Sequence, residues 1–218
     1  SFRSKVFRVY PQARAFIQKC LAVEREKRFH SFADMLKALR GIRPRTIRHQ
    51  GGETYECEEW IGRGGFGEVF RARRLRDGRK VAIKYLASTQ HSPHRFIKEA
   101  RLIKEFRHPH IVEYVDFLQM ERSDGTSSYY LILEFLEGMP KSSLRGRLKR
   151  EPQGLSPDEV LVLFDGYLDA LQYLHADNKR DVIIHRDIKP SNLFAPEGAP
   201  DQAKVFDLGV ARDVKGTA

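Results

Sequence analysis

The period of the apolar residues changes at Tyr55, and this change leaves the chain few architectures to choose from. Before it, Ala13, Phe16, Ile17, Cys20 and Leu21 recur at helical spacing, and Phe32, Met35, Leu36 and Leu39 repeat that spacing. Ser31, with Asp34 three residues on, forms a capping-box-like start to the second stretch. Gly41 and Pro44 stop it, so residues 41–54 read as a linker. After Tyr55 come strand-like runs at Tyr55 to Ile61, Glu68 to Arg73, Lys80 to Tyr85, Ile111 to Leu118 and Tyr129 to Phe135. Asp77-Gly78 and Ser123-Asp124-Gly125 supply turns between them. One helix interrupts the runs, from His94 to Phe106, with Phe96, Ala100, Ile103 and Phe106 on one side. A longer helix follows Ser156-Pro157-Asp158-Glu159, with Val160, Leu161, Phe164, Leu168, Leu171 and Leu174 as its expected buried face. An antiparallel lobe followed by a mainly helical lobe is an α+β arrangement with a cleft between the two.

Composition removes several function classes. No apolar run in the 218 residues approaches the ~18 needed for a membrane span. The N-terminus lacks the apolar core of a signal peptide, so the cytoplasm is the expected compartment. Cys20 and Cys57 have no CxxC or histidine partner, which implies neither a disulfide framework nor a zinc site. The net charge of +10 gathers in Arg40 to Arg48 and in Arg71 to Lys80. Neither run interleaves aromatic residues for base stacking, so no nucleic-acid partner is expected.

Four stretches carry chemistry. Ile61, Gly62, Arg63, Gly64, Gly65, Phe66, Gly67, Glu68 and Val69 form a glycine loop between two strand-like runs. Glycine there lets backbone N–H groups approach phosphates closely, and the strand-to-strand setting argues against a dinucleotide-binding βαβ unit. Lys84 stands in Val81-Ala82-Ile83-Lys84, an unusual place for a lysine; an edge lysine with its stem on the sheet is the plain alternative. His185-Arg186-Asp187-Ile188-Lys189-Pro190-Ser191-Asn192 is followed, across a short apolar strand, by Asp207-Leu208-Gly209. Two acids, a lysine and a carboxamide are thereby available to a nucleotide, its metal ions and an incoming hydroxyl.

In that order and spacing these stretches resemble the protein-kinase family, bacterial-like and of the serine/threonine type. The resemblance implies ATP and Mg2+ as cofactors and a protein Ser/Thr hydroxyl as acceptor. It makes Asp187 the residue that takes or orients the hydroxyl proton, and Lys189 the group steadying the transferred phosphoryl. Asn192 and Asp207 would hold magnesium. Lys84 would bind phosphates and pair with Glu99. Val69 would roof the adenine, Ala82 and Phe194 would also bind ATP, and Glu134 and Leu136 would meet the adenine edge from the hinge, with Leu133 behind. His185 resembles the family's packing histidine beneath Leu208, which stands where phenylalanine is commoner.

The resemblance divides the chain into residues 55–138, an N-lobe with hinge, and 139–218, a partial C-lobe ending in the activation segment. Residues 1–40 resemble the last helices of a kinase domain, with Arg28 in place of the arginine that pairs with the activation-segment glutamate. A plain helical extension accounts for the same periodicity. A tandem protein with a second kinase domain and a rearranged gene product both fit. Either leaves the helix Val160 to Leu174 with an uncovered apolar face, so the isolated chain is expected to be marginally stable or to aggregate, to bind nucleotide weakly and to transfer little. The alternative function is a catalytically inactive nucleotide-binding or scaffolding fragment. A small-molecule kinase would share the two acids but fits the full glycine loop and Lys189 less well.

Overall fold

The computed structural model describes residues 11–35, 46–48, 52–64, 67–87, 93–121, 127–176, 182–208 and 212–214. A six-stranded antiparallel sheet forms from β1 (Thr46–Arg48), β2 (Thr54–Gly64), β3 (Gly67–Arg74), β4 (Lys80–Ala87), β5 (Tyr114–Glu121) and β6 (Ser127–Glu134), in the order β1-β2-β3-β4-β6-β5. The β3–β4 hairpin turns at Gly78, whose φ of 73° needs glycine, and the Arg74 N–H donates to the Arg79 carbonyl at 2.9 Å. Alternation along each strand separates two cores. Tyr130 and Ile132 face one core with Tyr55, Val81, Ile83 and Leu118. Tyr129 and Leu131 face the other, which runs beneath the sheet into the helical part. Each of these large side chains gains about 1.5–3 kcal/mol on leaving water.

Helix α2 (Pro93–Lys104) lies under the sheet and buries Phe96, Ala100 and Ile103 on the predicted face. The chain then ties the two lobes together. The Val112 N–H donates to the Val205 carbonyl at 3.0 Å, and the Val205 N–H to the His110 carbonyl at 2.8 Å. Helix α3 (Leu144–Arg150) and helix α4 (Pro157–His175) follow the last strand of the sheet. Both start on serine caps: Ser143 Oγ accepts from the Gly146 N–H, and Ser156 Oγ from the Glu159 N–H at 3.2 Å. Short strands β7 (Val182–Ile184), β8 (Leu193–Phe194), β9 (Lys204–Val205) and β10 (Arg212–Val214) pair as β7 with β10 and β8 with β9.

Three expectations need correction. Residues 46–48, inside the expected linker, form β1, because Ile47 is buried against β2 while Thr46 and Arg48 face out. The fifth strand-like run starts at Tyr114 rather than Ile111; Ile111 makes only an isolated bridge to Val205. Helix α4 turns a different face inward: Leu163, Gly166, Tyr167, Ala170 and Leu174 are buried, whereas Leu161, Phe164 and Leu168 are exposed. The helix carries two apolar stripes, and close approach selects between them. A Cβ on Gly166 would lie 2.8 Å from His110 Nδ1, so only the glycine-bearing stripe admits that histidine.

Helix α1 (Pro11–Cys20) leads into a turn where Phe16 and Phe29 pack at 5.4 Å between ring centroids. Ser31 caps the following stretch by accepting from the Asp34 N–H at 3.1 Å. Arg28 donates to the Ala22 carbonyl at 2.8 Å, and Leu21, Val23 and Phe32 are exposed. Leu36 and Leu39 lie outside the described residues.

Candidate active site

Period-2 alternation explains where Lys84 points. Val81 and Ile83 belong to the outer core, so Lys84 turns to the inner face, where α2 lies. Its Nζ is 2.7 and 2.9 Å from the two Glu99 oxygens and 2.9 Å from Asp207 Oδ1. Lys84 and Glu99 are both buried. Burial alone would depress the Lys84 ammonium, but Glu99 and then Asp207 outweigh it and hold it above its ordinary value. One ammonium thus joins strand, helix and the acid after β9, three segments far apart in sequence.

A second cluster surrounds Asp187. Lys189 Nζ donates to Asp187 Oδ2 at 2.6 Å, and Asn192 Nδ2 donates to the Asp187 carbonyl and to Oδ2, each at 2.9 Å. The Lys189 contact is the main reason the Asp187 carboxyl sits below its ordinary range, so it is a carboxylate at neutral pH. Asn192 is buried, and its carbonyl accepts from the Phe206 N–H at 3.1 Å, which carries the link to the residue before Asp207. Arg186 (φ 64°) and Asp207 (φ 67°) hold the left-handed backbone region that non-glycine residues avoid. Strain of about 1–3 kcal/mol at each is typical of positions fixed for chemistry.

His185 does more than pack. Its Nδ1 accepts from the Asp187 N–H at 3.3 Å, and its Nε2–H reaches the Phe206 carbonyl at 3.2 Å. The one imidazole therefore holds the backbone of both acidic segments. Burial lowers its pKa from the ordinary 6.5. Above that pH both folded and unfolded imidazoles are neutral; as pH falls through 6.5 the unfolded chain takes a proton that the folded site resists. Stability is therefore fully present above pH 6.5 and drops on acidification, with His108, also lowered by burial, adding the same sign. Thermal unfolding at pH 7.5 and 5.5 checks this: the lower pH gives the lower Tm, and His185→Gln narrows the gap. An unchanged gap in the variant contradicts it.

The remaining expected positions lie on β2, β3, β4, β6, β8 and the segment after β6. Val69 pairs with Gly62 and with Lys84, and Ala82 pairs with Leu133. Open space lies where a Cβ on Gly62 would project. Arg63 and Glu68 pair across the loop, as do Gly64 and Gly67; Gly65, Phe66 and Gly209 lie outside the described residues. At the hinge, the Glu134 N–H donates to the Glu113 carbonyl at 3.0 Å, and its carboxylate accepts from the Glu113 N–H and from Lys204. Leu136 is buried, and its carbonyl accepts from the Met139 N–H at 3.3 Å. Phe194 is buried on β8, its carbonyl accepting from the Tyr167 hydroxyl at 2.9 Å.

Magnesium suits this donor set. Among the described residues no three His, Cys, Asp or Glu side chains cluster as an all-protein metal cage. Asp207 instead offers one hard carboxylate, of which Oδ1 accepts from Lys84, and Asn192, with its Nδ2 committed to Asp187, has an amide oxygen that takes only a 3.5 Å contact from Ser191 Oγ. One or two such oxygens, completed by water and phosphate, are what magnesium takes.

The family model described as protein kinase domain matches residues 55–218, which hold this lysine, glutamate and both acids. The chain belongs to the protein kinase family. It is 38% identical over 169 residues to a Streptomyces coelicolor protein named probable serine/threonine-protein kinase, covering 76% of this chain and 23% of that one. A serine/threonine-protein kinase of Myxococcus xanthus is 36% identical, with 72% of this chain and 18% of the relative covered. Mitogen-activated protein kinase 2 of Pneumocystis carinii is 33% identical, with shares of 79% and 46%. The chain spans less than half the length of each of these relatives. No helix among the described residues is long and apolar enough to cross a membrane.

Proposed function

We propose that this chain carries the nucleotide-binding and phosphotransfer site of a serine/threonine protein kinase, which moves the γ-phosphoryl group of ATP to a protein hydroxyl. The observation that supports this most is Lys84 reaching Glu99 and Asp207 together. Its contact with Asp207 is the one that nucleotide phosphates would replace. Residues 61–69 would cover the phosphates with backbone N–H groups. Val69, Ala82, Leu136 and Phe194 would enclose the adenine, whose edge would meet the hinge at Glu134 and Leu136. Magnesium, when bound through Asp207 and Asn192, neutralises phosphate charge.

In the transfer, the acceptor oxygen forms its bond to the γ-phosphorus as the bond to the β–γ bridging oxygen breaks. The hydroxyl proton passes to Asp187, ADP leaves, and Lys189 steadies the moving phosphoryl group. Lys189, already in contact with Asp187, fits serine/threonine acceptors. Incubation of the full-length protein with Mg-ATP and a mixed set of Ser, Thr and Tyr peptides tests this reading: phosphate should appear on Ser or Thr. Transfer to Tyr alone, or to none, rejects it.

We further read residues 1–40 as the tail of a preceding kinase domain. The Ser31 cap, the Phe16–Phe29 packing and the exposed Leu21, Val23 and Phe32, which suit a covering partner, support this. An Ala-Pro-Glu motif upstream in the parent sequence would accord with it; a parent without one would not.

A further inference from the structure

Most surface cations near the sheet have a carboxylate: Arg76 has Glu53 at 2.6 Å, Arg79 has Glu113 at 2.7 Å and Lys80 has Glu137 at 3.0 Å. On α2, Arg101 and Lys104 occupy the last turn, where the negative end of the helix favours them. Lys141 and Arg145 have neither explanation. Both are exposed, and among the described residues neither lies within ion-pair distance of a carboxylate. They stand at the start of α3, which has no acidic residue in its first turn, so the helix itself gains nothing from cations there.

Their backbone is fixed beside the proposed catalytic segment. The Ser142 carbonyl accepts from the Ala195 N–H at 2.8 Å, and Ser143 bridges to Phe194, two residues past Asn192. The Lys141 carbonyl accepts from Arg150 at 2.7 Å, and a Cβ on Gly146 would collide with it, so the turn sits tightly on the helix. Two unmatched cations thus stand on backbone that is hydrogen-bonded to the strand directly after Asn192.

We infer that Lys141 and Arg145 receive acidic residues flanking the phosphoacceptor, so that the substrates of this site are acidic Ser/Thr segments. The inference rests on the phosphotransfer reading for the word substrate, but the binding it describes is measured without transfer. Fluorescent Ser peptides with Asp/Glu, Ala or Lys/Arg flanks are titrated against the full-length protein, against Lys141→Glu/Arg145→Glu, and against Arg101→Glu/Lys104→Glu as a control for net charge. The acidic peptide should bind roughly five- to tenfold tighter than the alanine one at low salt. The first variant should abolish that preference, and the control should keep most of it. Equal binding of all peptides, preference for basic flanks, no binding, or equal loss in both variants overturns the inference. Acidic preference without phosphate transfer to any peptide would leave the inference standing and reject the kinase reading instead.

Discussion

Lys84→Met is expected to destabilise the protein by about 3–5 kcal/mol, the cost of leaving a buried carboxylate without its partner. Lys84 and Glu99 are both buried, and Asp207 shares the ammonium, so removing it leaves Glu99 and Asp207 facing each other. Methionine fills nearly the same volume, so the loss is electrostatic rather than a cavity. Glu99→Gln in the same background should recover part of the stability, because it removes the stranded charge. Urea denaturation of the wild type, both single variants and the double variant gives the coupling between the two positions. Additive effects would mean that the two side chains do not sense each other. Nucleotide binding should weaken with Lys84→Met even where the variant is fully folded.

Asp187→Ala is expected to lower phosphotransfer in the full-length protein by about 10²–10⁴-fold, the range for loss of a positioned proton acceptor. Its carboxylate is held by Lys189 and Asn192, while its backbone is held separately by His185. The variant should therefore fold and retain Mg-ATP affinity within a few fold while turnover collapses. Because Lys189 holds Asp187 below the ordinary carboxylate range, protonation of Asp187 itself should not limit turnover at mildly acidic pH. Single-turnover measurements with saturating Mg-ATP separate binding from chemistry. Undiminished transfer in this variant would remove Asp187 from the reaction.

Much of this site was legible in the sequence because local rules and the cleft agree. Strand alternation turned Lys84 inward, helix spacing put Glu99 on the face with Ala100 and Ile103, and Ser156 announced the start of α4. The direct Lys84–Asp207 contact was not legible, because 123 residues separate the partners and only the folded cleft joins them. Helix α3 was missed for a related reason. Its sequence, Leu144 to Arg150, has little apolar face; it is anchored by buried Arg147, which pairs with Glu151 at 2.8 Å and with Glu159 on α4. The inward face of α4 was decided by His110 reaching Gly166, a contact between distant segments that periodicity does not encode. The second role of His185 had one sequence signal, its place two residues before Asp187, but its other partner is a backbone carbonyl 21 residues away.

Lys84, Asp207 and Asn192 are proposed to serve one nucleotide together with its magnesium. Calorimetric titration of ATP into the full-length protein, with magnesium and with EDTA, tests it most directly when repeated on Asp207→Asn. Binding should be markedly tighter with magnesium in the wild type, and the variant should lose that increment. Binding of equal strength in all conditions, or a magnesium increment that survives in Asp207→Asn, would contradict it.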